Sequence, residues 1–111
     1  DYILIENQIG PIANRMKTIQ GMVAQYFINN NITNIEFISP INKLKLFCKD
    51  KRTNYNDRKK LSIQYTKELL DNFNITKYIE VFNNHSKKDD LADSFLQGIY
   101  YLYSNNNLIL K

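Results

Sequence analysis

The sequence predicts an α/β fold, and three observations carry that prediction. Residues 2–6 (YILIE) and 35–38 (IEFI) are short apolar runs closed by turn residues, Asn-Gln and then Gly10-Pro11 after the first, Ser39-Pro40 after the second. Between them, apolar residues recur every three or four positions, the period of a helix. Near the other end of the chain, a further helical pattern is apolar over more than half its circumference and must be buried.

Taken in order, residues 2–6 form a buried strand and Gly10-Pro11 a turn, with Pro11 free to occupy the first turn of the next helix, where its missing N–H costs nothing. That helix spans residues 12–29, with Met16, Ile19, Val23, Tyr26 and Phe27 as its core face. The run NNNITN stops it, and residues 35–38 form the second strand. Strand, helix and strand in so short a span make a βαβ unit, so the two strands are expected to be parallel. Residues 42–60 differ in kind. Lys43, Lys45, Lys49, Lys51, Arg52, Arg58, Lys59 and Lys60, with Tyr55 among them, suggest an irregular or partly helical basic segment. A second helix is expected over residues 58–73, with Leu61, Tyr65, Leu69 and Phe73 on one face, and NFNIT ends it. The stretch to Asn84 gives no clear signal. The last helix runs from near Lys87 to Tyr103. The Asn-rich stretches point to an AT-rich genome.

Composition narrows the function classes. Fifteen Lys and Arg against eleven Asp and Glu give a net charge of +4 and a pI near 9.1, which leans toward a polyanionic partner and equally fits a soluble basic surface. One cysteine, Cys48, rules out an internal disulfide and a cysteine-based zinc cluster. Nothing pairs Cys48 with the lone histidine, His85, for nucleophilic chemistry. No run nears the roughly 20 apolar residues of a membrane span. At 111 residues the chain is short for a sheet covered by helices on both faces, so a partial domain is expected.

The stretch SKKDDLADSFL, residues 86–96, puts three aspartates where the buried helix begins. Ser86 and Asp89 have capping-box spacing, so Asp89 is explained by hydrogen bonding at the helix end and by the dipole. Asp90 and Asp93 fall within about 60° of each other around the helix, with Gln97 between them. Two carboxylates one turn apart repel unless a cation lies between them, while an exposed acidic first turn favoured by the dipole accounts for the same residues. Glu6 ends a strand, and in open α/β sheets ligands bind at the carboxyl ends of strands. Glu6, Asp90 and Asp93 together are an all-oxygen set suited to a magnesium-type cation.

With these residues in view, the chain resembles the RuvC-type Holliday junction resolvases of the RNase H-like superfamily, in the branch found in poxviruses and other large DNA viruses. ILIENQIGPIANRMKTIQGM resembles the strand with the second acidic residue and the helix after it, and KKDDLADSFLQ resembles the C-terminal acidic motif. SPINKLK and YNDRKK lie between these blocks, so the likeness covers nearly the whole chain. By position, Glu6 matches the strand glutamate and Asp90 and Asp93 the paired helix aspartates. The resemblance implies a three-layer α/β/α ribonuclease H-like fold, with residues 1–111 a partial resolvase domain. The family's first aspartate lies on an opening strand. Asp1 cannot replace it, being roughly 17 Å from Glu6 along a strand and on the opposite face. The opening strands are therefore expected to lie upstream, and the piece alone is expected to be inactive.

The same resemblance implies a dimeric endonuclease that cuts four-way DNA junctions with two magnesium ions, manganese being the substitute, and Glu6, Asp90 and Asp93 as catalytic ligands. Lys87 and Lys88 would face phosphate, and Arg58, Lys59, Lys60, Lys43 and Lys45, with Lys51 and Arg52, would track the junction arms by charge. The helix over residues 12–29 would form the homodimer interface through Met22 and Tyr26. His85 is read as a loop histidine, no membrane is involved, and the branch implies cytoplasmic viral factories. Two alternatives stay open: a non-catalytic RNase H-like nucleic-acid-binding domain, and an RNase H-like nuclease acting on RNA in hybrid duplexes.

Overall fold

The computed structural model describes residues 1–48 and 53–110. Its elements are β1 (Ile3–Glu6), α1 (Asn14–Asn29), β2 (Ile35–Ile38), a 3-10 turn (Pro40–Leu44), α2 (Tyr55–Asn72), α3 (Thr76–Asn84) and α4 (Lys88–Ser104). The fold is mixed α/β and mostly helical, with one two-stranded parallel sheet. It divides into two compact units, residues 1–40 and 41–111. Among the described residues, no helix is long and apolar enough to cross a membrane.

The first unit is the expected βαβ. β1 and β2 pair in parallel with Ile3 opposite Ile35 and Glu6 opposite Ile38, and Asn7 N–H extends the ladder to the Ile38 carbonyl at 2.8 Å. The helix begins later than the sequence suggested. Pro11 lies in a turn closed by Ala13 N–H on the Ile9 carbonyl, and Ala13 departs from helical geometry, so α1 starts at Asn14. The core face expected for α1 is also corrected. Met16, Ile19, Val23 and Tyr26 are exposed, Phe27 is half-buried, and Ala24 alone is buried. Two strands about 4.8 Å apart form a strip too narrow to cover a helix face. The apolar period of α1 is real, but this unit covers only its edge.

The second unit is helical. Asn54 caps α2 by accepting the Asp57 N–H at 2.8 Å, which moves the start of the helix back to Tyr55 from the expected 58 and makes the end of the basic segment, residues 55–60, helical. Lys49, Lys51 and Arg52 lie outside the described residues. The buried stripe of α2 is Ser62, Thr66, Leu69 and Leu70, one position round from the expected Leu61, Tyr65, Leu69 and Phe73, of which only Leu69 is fully buried. Short hydroxyl side chains let α2 come close to α4, whose Ala92 and Leu96 are completely buried. The Ser62 and Thr66 hydroxyls find no hydrogen-bond partner among the described residues. Leu44, Leu69, Leu96 and Ile99 form one core cluster and Leu70, Phe82 and Ala92 a second, with Phe95 packed against both. α3, which gave no clear signal in the sequence, is nine residues long and has no side-chain cap. α4 emerges from the core at its end, so Leu102 and Tyr103 are exposed rather than buried as expected.

Three helices stop in the same way. After α1, α2 and α4 an asparagine adopts a left-handed conformation: Asn31 (φ 61°), Asn74 (φ 54°) and Asn106 (φ 58°). Each brings the next N–H back to the last turn, Ile32 to Phe27, Ile75 to Leu70 and Asn107 to Leu102. This is the Schellman arrangement, with asparagine in the place glycine usually takes. In a chain with three glycines, the Asn clusters are its helix terminators.

Truncating Leu96 to alanine empties the site where both main helices of the second unit meet. The expected loss is about 2–5 kcal/mol of unfolding free energy, measured by urea denaturation.

Candidate functional site

Glu6 is half-buried at the carboxyl end of β1. The Gln8 side-chain amide donates to its carbonyl at 3.3 Å and to its carboxylate at 3.5 Å. Gln20 on α1 accepts the Gln8 N–H at 2.7 Å, so the turn after the strand is tied to the helix and holds the region around Glu6.

In the second unit the first two turns of α4 gather the charge. Asp93, half-buried, accepts from Lys43 Nζ at 2.5 Å. Asp89, four residues earlier on the same face, accepts from Lys59 Nζ at 2.7 Å. Asp90 is exposed. The expected capping role of Asp89 is therefore corrected. The helix is entered through Lys87, without a side-chain cap on the helix, and the Lys87 N–H is taken by His85 Nδ1 at 3.0 Å. Asp89 turns to Lys59 because an ionised donor makes a stronger hydrogen bond than a neutral backbone N–H. Lys88 Nζ donates to the His85 carbonyl at 3.0 Å, so His85 organises the helix entry through both its ring and its backbone.

The cations sort into held and exposed groups. Lys59 is gripped from two sides, by Asp89 and by the Tyr55 ring, 4.8 Å from its ammonium to the centroid. Lys45 lies over the Tyr100 ring at 5.7 Å. Arg58 and Lys60 flank Lys59 on α2 and, like Lys87, are exposed. Around α4 the structure brings Asp89, Asp93, Lys43 and Lys59 together and leaves Asp90 on the surface beside them. Within neither unit do three or more His, Cys, Asp or Glu side chains converge among the described residues.

The comparisons with known proteins now bear on this site. Residues 1–105 match the sequence model of the family described as Poxvirus A22 protein. The chain belongs to that family. An uncharacterized protein of Acanthamoeba polyphaga mimivirus is 34% identical over 121 aligned residues, which take in 92% of this chain and 29% of the relative. The chain thus spans under a third of that relative's length. No solved structure matches it. The family match contains both acidic segments, Glu6 in the strand and residues 89–93 on α4.

Sequence reasoning missed the two ion pairs. Their partners are 50 and 30 positions apart, and no local periodicity encodes contacts at that range. The hydrogen bond to Lys59 holds the Asp89 carboxyl below its ordinary 3.8, while Asp89, followed by Tyr55, raises Lys59 well above its ordinary 10.5. A lowered acid stabilises the fold above its unfolded value and loses that contribution as pH falls through its folded value. A raised lysine stabilises below its unfolded value and loses that contribution as pH rises through its folded one. The pair therefore contributes fully between 3.8 and 10.5. Comparing pH-dependent unfolding of the wild type and Asp89→Asn should give a stability difference that is flat from about pH 5 to 9 and shrinks below about pH 4.

Proposed function

We propose that this chain is part of a magnesium-dependent endonuclease of RuvC-type, RNase H-like character that resolves four-way DNA junctions. The observation that carries the reading is membership of the poxvirus A22 family together with Asp90 and Asp93 one turn apart at the start of α4. Glu6, at the carboxyl end of a parallel strand, is the third proposed ligand.

The donor chemistry fits the metal. Magnesium takes oxygen ligands and needs only one or two carboxylates beside water and substrate phosphate. Asp90 and Asp93 supply two from a rigid helix, and both reach solvent. When bound, a pair of magnesium ions supplies activation of the attacking water and stabilisation of the leaving 3′-oxygen. The chain's own residues hold and orient. Asp90 and Asp93 fix the ligand oxygens on a helix whose next turn is anchored by buried Leu96, and Gln8 steadies Glu6. Arg58, Lys60, Lys45, Lys87 and Lys88 offer cationic contacts to phosphate, which position the DNA without reading its sequence. A four-way junction has two equivalent strands to cut, which calls for a two-fold enzyme. The exposed Met22 and Tyr26 on α1 suit a homodimer contact.

A second reading has an observation in its favour. Because Asp89 and Asp93 are already neutralised by lysines, a nucleic-acid-binding domain without catalysis would also account for them. One experiment separates the two. The full-length protein is incubated with a synthetic four-way junction and magnesium, beside Asp90→Asn and Asp93→Asn. Paired nicks in the wild type, reduced on the order of a hundredfold or more in each variant with junction binding retained, support the nuclease. Binding without nicking in any of the three supports the second reading.

The exposed cations give a separate expectation. Arg58→Gln and Lys60→Gln should each lower the slope of log affinity against log salt by about one, measured by fluorescence anisotropy on the junction. Lys59→Met, removing a lysine already held by Asp89 and Tyr55, should change that slope little and instead lower the unfolding temperature.

A further inference from the structure

Two lysines reach the first two turns of α4, and they are held differently. Lys59 is fixed on Asp89 and over the Tyr55 ring. Lys43 has one ion-pair partner among the described residues, the Asp93 carboxylate, and both side chains reach solvent, at 22% and 31% exposure. Its backbone is anchored, because the next residue, Leu44, is buried in the main core cluster. The four-carbon stem can therefore swing while the turn stays in place. An ion pair exposed to this degree holds only modestly. A hard cation seeks the same carboxylate oxygens, and once bound it repels a neighbouring ammonium group.

We infer that Lys43 is a cation-responsive phosphate contact: it rests on the Asp93 carboxylate until a divalent cation takes those oxygens, and is then released toward the DNA backbone. The inference rests on the proposal above that Asp93 is a metal ligand, and adds how metal and nucleic acid are coupled at that site. The ammonium occupies the carboxylate that the cation needs, so each cation bound exposes one further positive charge beside it. Metal and DNA phosphate then bind cooperatively through a single side chain, and Asp93 is not left without a positive neighbour. Lys59, held from two sides, stays in place and keeps the start of the helix neutral.

The test uses the full-length protein and reads binding rather than cleavage. Magnesium affinity is measured by calorimetry without DNA for the wild type, Lys43→Met, Lys43→Arg and Asp93→Asn. Lys43→Met keeps the stem but removes the competing charge, and should bind magnesium about three- to fivefold more tightly than the wild type. Lys43→Arg keeps the charge and should bind no more tightly. Junction affinity is then measured against salt with and without calcium, at equal ionic strength. Calcium should steepen the wild-type slope by about one and leave that of Lys43→Met unchanged. A purely structural lysine would not tighten metal binding when removed. If Asp93→Asn weakens magnesium binding while Lys43→Met matches the wild type or binds more weakly, the metal site stands and this inference falls. If Asp93→Asn leaves magnesium affinity unchanged, the metal reading and the inference fall together.

Discussion

Ala92 and Leu96 on α4 have no solvent exposure, and burying them where α2 packs fixes how the charged starts of these two helices meet. One turn before Ala92 stands Asp89, and Lys59 on α2 stands one turn before the buried Ser62 and Thr66 stripe. Helix contact thus brings an acid and a base together at the ends of two elements, where side chains still reach water. The small Ser62 and Thr66 side chains make this contact close. Their hydroxyls, buried without a partner among the described residues, oppose it. The packing is favourable because the leucines and phenylalanines around it bury far more apolar surface than two hydroxyls cost.

The ends of the helices follow from a different constraint. A chain with three glycines must stop its helices with another residue, and asparagine is the side chain that best tolerates the left-handed conformation after glycine. Asn31, Asn74 and Asn106 each do so, and each returns a backbone N–H to a carbonyl that would otherwise lack a donor. A composition that looked like a genomic bias is therefore also structural. Asn54 adds a start signal to these stops by capping α2.

What could be read from the sequence follows the range of the interaction. The parallel βαβ was legible, because two apolar runs and a helical period between them leave few topologies. α4 was legible from its apolar breadth, and its start from the aspartates. The face of α1 was not, because periodicity shows which side is apolar and says nothing about whether a neighbour covers it. Met16 and Ile19 keep their spacing and remain exposed. The stripe of α2 was displaced by one residue because Ser62 and Thr66 read as polar, and only tertiary packing makes them core. For the candidate site, Asp90 and Asp93 were legible as a pair on one helix. That Asp93 meets Lys43 depends on a contact across 50 positions, which tertiary packing alone creates.

The start of α4 therefore holds a balance that neither charge pattern nor helix dipole alone would produce. Three aspartates within five positions at a helix N-terminus gain from the dipole but repel one another. Two of them are offset by lysines from other segments, and the third, Asp90, faces water. The dipole favours Asp89 and Asp90 in the first turn and reaches Asp93, one turn further in, much less. A lysine from the 3-10 turn and another from α2 instead offset the repulsion that the dipole leaves standing. With Asp89 and Asp93 paired, the carboxylate that faces water at this helix start is Asp90, in the turn where the dipole favours it.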